Sequence, residues 1–206
     1  MSNPNTNADP HLVTIHNVRL SYSDALFVAK QGRDANGNPS GVASYGCVFL
    51  LDKVVNKEDI AKLTAAAHLT KKEKWQDKPV NLTGKSIRDG AEKEATDGYG
   101  PGVVFISARH TPRNGSKPRV VDQKFNDLTA EDGRPYAGCY VDAIVRCWPQ
   151  DNNFGKRLNW DLKTVQFRRH GKPFGTPAID PKKYLSELPD DDSQVDSTAA
   201  TADQGI

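Results

Sequence analysis

Along residues 139–148, CYVDAIVRCW, the side chains alternate with a period of two, the pattern of a strand. One face carries Cys139, Val141, Ala143, Val145 and Cys147, an ordinary core face. The other carries Tyr140, Asp142, Ile144, Arg146 and Trp148, two aromatics and an arginine where a half-exposed strand usually shows Lys, Thr or Glu. Related patterns predict a first strand in HLVTIHNVRLSY from His11, continued after a kink by ALFVAK, and a second in VASYGCVFLL over 42–51. VVFISARH over 103–110 is a third, and a short fourth follows the basic hairpin turn TPRNGSKPRVVD. Between the second and third strands, Ile60, Leu63, Ala66 and Ala67 recur at helical spacing, which predicts one helix over 56–75 with Asn56 as its N-cap and Asp59 three residues on. Lys71, Lys72 and Lys74 stand beside Trp75 at its C-terminal end, where cations suit the helix dipole or contact phosphate. QGRDANGNPSG (31–41) and PQDNNFG (149–155) carry turn signals, and the stretch up to residue 102 after the helix is a long excursion of weak periodicity.

The last strand, in KRLNWDLKTVQFRRHG, changes phase. Leu158, Trp160 and Leu162 share one face, whereas Val165 and Phe167 fall on the other. A bulge near Lys163 and Thr164 brings all five to one side, and such bulges bend strands enough to close small barrels. Five or so strands, one helix in a crossover and strong curvature predict a mainly β fold: a single OB-like Greek-key barrel with one main crossover helix and long loops. At 206 residues, with 16 Gly and 13 Pro, one such domain over 11–185 accounts for the chain, flanked by a disordered Asn- and Pro-rich N-terminus over 1–10.

Charge alters this picture. Residues 186–206 hold Glu187, Asp190, Asp191, Asp192, Asp196 and Asp203 and no Lys or Arg, a net of −6; of a total of +2, the remaining 185 residues carry +8. A basic body with an acidic, flexible C-terminal tail points to a polyanionic partner for the body. Cys47, Cys139 and Cys147 form no CxxC, two of them lie on the core face, and all three are expected to be reduced core residues. No Cys/His zinc pattern, GxSxG, Walker loop, GxGxxG or calcium loop occurs, so no cofactor and no enzyme activity is indicated. Asp142, Asp151 and Asp161 are the acids that a metal-dependent nuclease would need. No apolar run is long enough to cross a bilayer, and MSNPNTNADP has neither the basic nor the apolar part of a signal peptide, which predicts a cytoplasmic protein without a membrane partner.

Sequence-tolerant binding of single-stranded nucleic acid needs cations along the phosphates and flat side chains under the bases. Tyr140, Arg146 and Trp148 supply both on one strand face. Its neighbour offers Phe154, Lys156 and Arg157, then Arg168 and Arg169 beside Phe167. Arg109, His110, Arg113, Lys117 and Arg119 place five candidate cations within eleven residues. Phe167 and Trp160 are expected in the core.

The run GCYVDAIVRCWPQDNNFGKRLNWDLKTVQFRRHGKPFG closely resembles the corresponding part of the phage single-stranded DNA-binding proteins formerly catalogued as a conserved phage domain of unknown function. VRL near the start and YGCVFLLDK fit as well, and GCYV, NNFGKR and VQF are the most specific segments. Trp160 departs from the pattern, standing where a smaller residue is expected. The resemblance spans roughly residues 11–185 and implies an OB-fold that coats single-stranded DNA in phage replication or recombination, in the host-cell cytoplasm. It also implies an acidic tail that serves replication or recombination proteins; a homo-oligomer is compatible with it. A virion structural or assembly protein is the other class that a basic body of this kind suits.

Overall fold

Three of the places where strands break their own alternation shape the barrel. The computed structural model describes residues 9–34 and 36–175. Its elements are β1 (Leu12–Arg33), β2 (Pro39–Asp52), α1 (Lys57–Trp75), β3 (Arg88–Asp89), β4 (Val103–His110), β5 (Arg119–Val121), β6 (Tyr140–Asn152) and β7 (Gly155–Arg169), with short 3-10 turns at Gly90–Lys93 and Ala130–Asp132. Strands pair in the order β3-β4-β2-β1-β6-β7-β5, and a parallel β4–β7 pairing at Ala108↔Trp160 and Arg109↔Asp161 closes β1, β2, β4, β7 and β6 into a five-stranded barrel. The acidic segment 186–206 and the end of the predicted domain, 176–185, lie outside the described residues.

β7 contains the bulge that its phase change requires. Val145 of β6 pairs with Leu162 and Ile144 with Thr164, which leaves Lys163 as the extra residue. Leu158, Trp160 and Leu162 before it and Val165 and Phe167 after it all point inward as a result. β1 does the same at His16 and Asn17: Ile15 faces Ala143 and Val18 faces Val141, Asn17 is left-handed at φ 51°, and the buried positions shift from Val13 and Ile15 to Val18 and Leu20. A third irregularity lies between Ser21 and Ala25, where Tyr22 is left-handed at φ 47°. Buried Phe49, Leu51, Ile106, Val141, Val145, Leu162 and Phe167 fill the interior, each such side chain contributing about 1.5–3 kcal/mol.

Three local expectations are revised. Asn56 does not cap α1 through its side chain; its Nδ2 donates to His16 O and its Oδ1 accepts from Asp52 N, so it serves the β1 bulge instead. Buried Asp59 accepts the His16 N–H at 2.7 Å, tying the first turn of α1 to the same bulge. The 31–41 loop is largely strand: Arg33 pairs with Pro39, and Asp34 Oδ1 accepts the N–H groups of Asn36 and Asn38 in the turn. The 111–118 segment is no hairpin turn, because β4 and β5 do not pair; both run parallel to β7, on either side of its bulge.

The excursion after α1 wraps the barrel. Thr83 N donates to Lys156 O, Ser86 O accepts the Trp160 indole N–H at 3.0 Å, and β3 adds to the edge of β4. Farther on, Tyr99 joins Val48, Leu50, Phe105 and Phe174 in a second apolar cluster outside β2 and β4. Trp160 is 2% exposed, so its bulk belongs to the core. No helix among the described residues is long and apolar enough to cross a membrane.

Cys47, Cys139 and Cys147 are all buried free thiols. Burial pushes the Cys139 thiol up to about 11 and raises the other two as well, so the reactive thiolate is depleted at all three sites. Iodoacetamide at about pH 8 is expected to leave the native protein unlabelled and to modify all three cysteines once it is denatured; intact-mass measurement checks this, and labelling of native protein would contradict the closed core face.

Candidate functional site

The outer face of β2 and β4 is where the barrel leaves room. Alternation turns Gly46, Val48 and Leu50 outward on β2, opposite Arg109, Ser107 and Phe105 on β4. The second apolar cluster covers the Val48, Leu50 and Phe105 end. Beyond it, two open depressions meet at Ser107. One, of about 170 Å³, is walled by Tyr22, Lys30, Gly32, Ser44, Gly46 and Arg109, so it reaches onto the projecting β1–β2 arm. The other, of about 500 Å³, lies between the 83–88 segment, with Lys85 and Arg88, and Arg157, Asn159 and Trp160 of β7. Together they form a groove from the β1–β2 arm to the base of the β6–β7 turn, the strand face and loops with which OB-folds bind oligonucleotides.

Sequence details shape this groove. A Cβ at Gly46 would lie 3.0 Å from Ala108 O and 3.1 Å from Arg109 Cγ, so the bare backbone lets the Arg109 stem lie against β2. The irregularity in β1 places Tyr22 on this face, 51% exposed, its ring edge-on to Tyr99 at 6.5 Å with Lys93 Nζ 4.9 Å from its centroid. Lys30, Lys85, Arg109 and Arg157 form no ion pair among the described residues, whereas Arg88 is held by Glu92 at 2.8 Å. The lining therefore offers unneutralised cations and an accessible aromatic ring.

The candidates named from the sequence are divided among different places. Arg109 and Arg157 line the groove. Trp148 is 38% exposed and pairs across the ladder with the groove residue Asn159, while Phe154, 81% exposed, and Lys156 stand at the adjoining turn. Tyr140, Arg146, Arg119, Arg168 and Arg169 are engaged within the fold, and Lys117 and Arg113 do not line the groove. Arg169 Cζ sits 3.4 Å from the centroid of the Tyr140 ring, with Arg19 at 5.5 Å, so the ring does not offer the open platform expected of it. Arg168 pairs with Asp142 at 2.8 Å and Arg146 with Asp9 at 2.6 Å, and the Arg146 guanidinium holds the Asp9 carboxyl below the usual range. Arg119 pairs with Asp127 at 2.7 Å and lines, with Lys117, a different cleft beside Leu26 and Tyr45. Arg113 lies in the 111–118 loop, its N–H bonded to Ser116 Oγ, which also contacts His110 Nε2.

The three aspartates weighed as nuclease ligands are separately engaged: Asp142 with Asn17 N and Arg168, Asp151 with the Trp75 indole, Asp161 with His110 and Lys163. Among the described residues no three metal-ligating side chains converge. Sequence reasoning missed Tyr22, Lys30, Gly46, Lys85 and Lys93. Only Gly46, a glycine inside an otherwise apolar strand, carried a signal of close backbone approach.

Comparison with known proteins is consistent over most of the chain. Residues 11–194 match the model of a family described as the Enterobacter phage Enc34 ssDNA-binding protein. A protein of Acyrthosiphon pisum secondary endosymbiont phage 1, named putative protein p50, is 37% identical over 172 residues, covering 79% of this chain and 85% of that protein. The single-stranded DNA-binding protein from bacteriophage Enc34 in complex with ssDNA superposes with a TM-score of 0.68 at 27% identity, covering 80% of this chain and 90% of that one. A further structure described as the single-stranded DNA-binding protein from bacteriophage Enc34 gives 0.63 at 25% identity, covering 84% of this chain and 88% of that one.

Proposed function

Since the chain belongs to the Enc34 phage family of single-stranded DNA-binding proteins, we propose that it binds single-stranded DNA in the groove across β2 and β4, coating the strand during phage replication or recombination in the host cytoplasm. The observation that carries this reading is the run of cations, Lys30, Arg109, Lys85 and Arg157, unpaired among the described residues, along an open face that also exposes Tyr22. The cations follow the phosphates. Tyr22, with Trp148 and Phe154 at the far rim, offers the flat surfaces on which bases stack, at about 1–3 kcal/mol per base and with little regard to sequence. The role is non-enzymatic: the protein holds and shields a strand and changes no bond in it.

Fluorescence anisotropy with single-stranded, duplex and RNA oligonucleotides, with and without magnesium, tests this reading. Tight single-strand binding without cleavage, weakened steeply by salt, is the expected result. Magnesium-dependent products would indicate a nuclease, and no binding would favour a virion assembly role.

The acidic segment 186–206, net −6, lies outside the described residues. Its charge opposes that of the groove, so it competes with DNA for the same cations and is released to replication partners when DNA binds. Deleting 186–206 is expected to raise affinity at low salt and to have little effect at high salt, where screening removes the competition; unchanged affinity at low salt would remove the competition.

A further inference from the structure

The lysines at the end of α1 lie outside the groove and have no part in the reading above. Lys71, Lys72 and Lys78 line an open cleft of about 510 Å³ together with His68, Trp75 and Pro79; Asp77 is the one carboxylate in its wall. None of these lysines is ion-paired among the described residues. The helix dipole by itself favours Lys71 and Lys72 near the last turn. It does not account for Lys78, which follows the helix: Gln76 and Asp77 are both left-handed, at φ 52° and 47°, and reverse the chain so that Lys78 N donates to Trp75 O and its side chain joins the same cleft.

The cleft is also tied to the groove. Trp75, buried at its wall, donates its indole N–H to Asp151 Oδ2 at 2.9 Å on one strand of the β6–β7 turn. On the other strand of that turn, Lys156 O accepts from Thr83 N, a residue of the groove wall. Asp151 and Lys156 face each other in the ladder, so a single narrow hairpin, with exposed Phe154 in its turn, separates the two basic surfaces.

We infer that the cleft at the C-terminal end of α1 continues the single-stranded DNA track, so that a strand leaving the groove past Lys85 and Arg157 crosses the β6–β7 turn at Phe154 and rests its next phosphates on Lys71, Lys72 and Lys78. This extension rests on the groove being the primary site. It follows that the protein occupies more nucleotides than the groove alone holds.

The test is a ladder of oligothymidylates of increasing length, titrated against the full chain and against the triple variant Lys71→Ala, Lys72→Ala, Lys78→Ala, with melting temperature as the fold control. The wild-type protein should gain affinity in a second step as length increases. The variant should lack that step, binding the longest strands roughly tenfold more weakly at low salt with a log–log salt slope shallower by about 2, since each phosphate contact on a single strand contributes about 0.7. Binding of the shortest strands should be unchanged. Equal affinity and slope for long strands would overturn the extension, as would an equal loss at every length. A groove variant, Arg109→Ala with Arg157→Ala, keeps the two readings apart: if it weakens every length while the lysine variant weakens none, the extension alone fails, and if neither variant weakens any, both fail.

Discussion

Replacing Arg109 and Arg157 together with alanine should weaken single-stranded DNA binding roughly 100-fold at low salt, because each removes a charge-assisted contact worth about 1.5 kcal/mol. The salt slope should become shallower by about 1.4, two phosphates at about 0.7 each. The two residues stand on different strands, Arg109 in the depression beside the β1–β2 arm and Arg157 in the one beside the β6–β7 turn, so a single strand must run past both to feel both losses. Neither is ion-paired among the described residues, and exposed substitutions of this kind stay within about 0.5 kcal/mol of stability. Two such changes sum to no more than about 1 kcal/mol, so the melting temperature should move by no more than about 2–4 °C. Titration at several salt concentrations, with a thermal melt of the same sample, measures both quantities. Unchanged affinity would show that DNA does not follow this face.

Trp160→Ala should have the opposite profile, with stability falling first. The side chain is 2% exposed and packs in the barrel interior, and its truncation is expected to cost about 3–5 kcal/mol. For a domain of this size that lowers the melting temperature by roughly 6–20 °C. The indole N–H also holds Ser86 O at 3.0 Å, and Ser86 belongs to the segment that walls the groove. Trp160→Phe keeps most of the volume, removing this bond and part of the ring, so it should cost less, about 2–3 kcal/mol, while loosening the groove wall. Calorimetry or a denaturant melt gives the stability, and anisotropy on the folded variant gives the affinity. A Trp160→Ala protein as stable as the wild type would place that side chain at the surface.

Trp160 also illustrates how far the chain could be read in advance. Its burial was expected from its phase with Leu158 and Leu162, and the bulge at Lys163 was legible because apolar positions on either side of it fall on opposite faces of a regular strand. The β1 bulge at His16 and Asn17 leaves the same trace in the shift from Val13 and Ile15 to Val18 and Leu20. The parallel β4–β7 closure leaves none, since nothing in either segment names its partner. The same holds for β5, expected to turn back from β4 and found instead farther along β7.

Candidate binding residues divide along similar lines. The cations around residues 109–119 and 156–169 could be counted, but the count does not reveal that Arg168 is spent on Asp142, Arg119 on Asp127, Arg146 on Asp9 and Arg169 on the Tyr140 ring. Lys30 and Lys85 gave no cue, one ending the predicted first strand just before a run of turn residues and the other lying in the weakly periodic excursion, yet they line the groove with Arg109 and Arg157. Of the aromatic face on β6, Trp148 keeps an exposed place beside the groove residue Asn159, and Tyr140 is enclosed by arginines.

By itself the sequence determined the main strands, the helix, the inward faces of β6 and β7 and the opposite charges of body and tail, because alternation and composition are local quantities that burial and solvation act on directly. Only the tertiary structure decided which outward faces become neighbours and which cations are taken up in ion pairs. Those depend on ladder register and barrel closure, which bring Gly46 beside Arg109 and Asp142 beside Arg168 across long stretches of chain, and no local pattern encodes that distance.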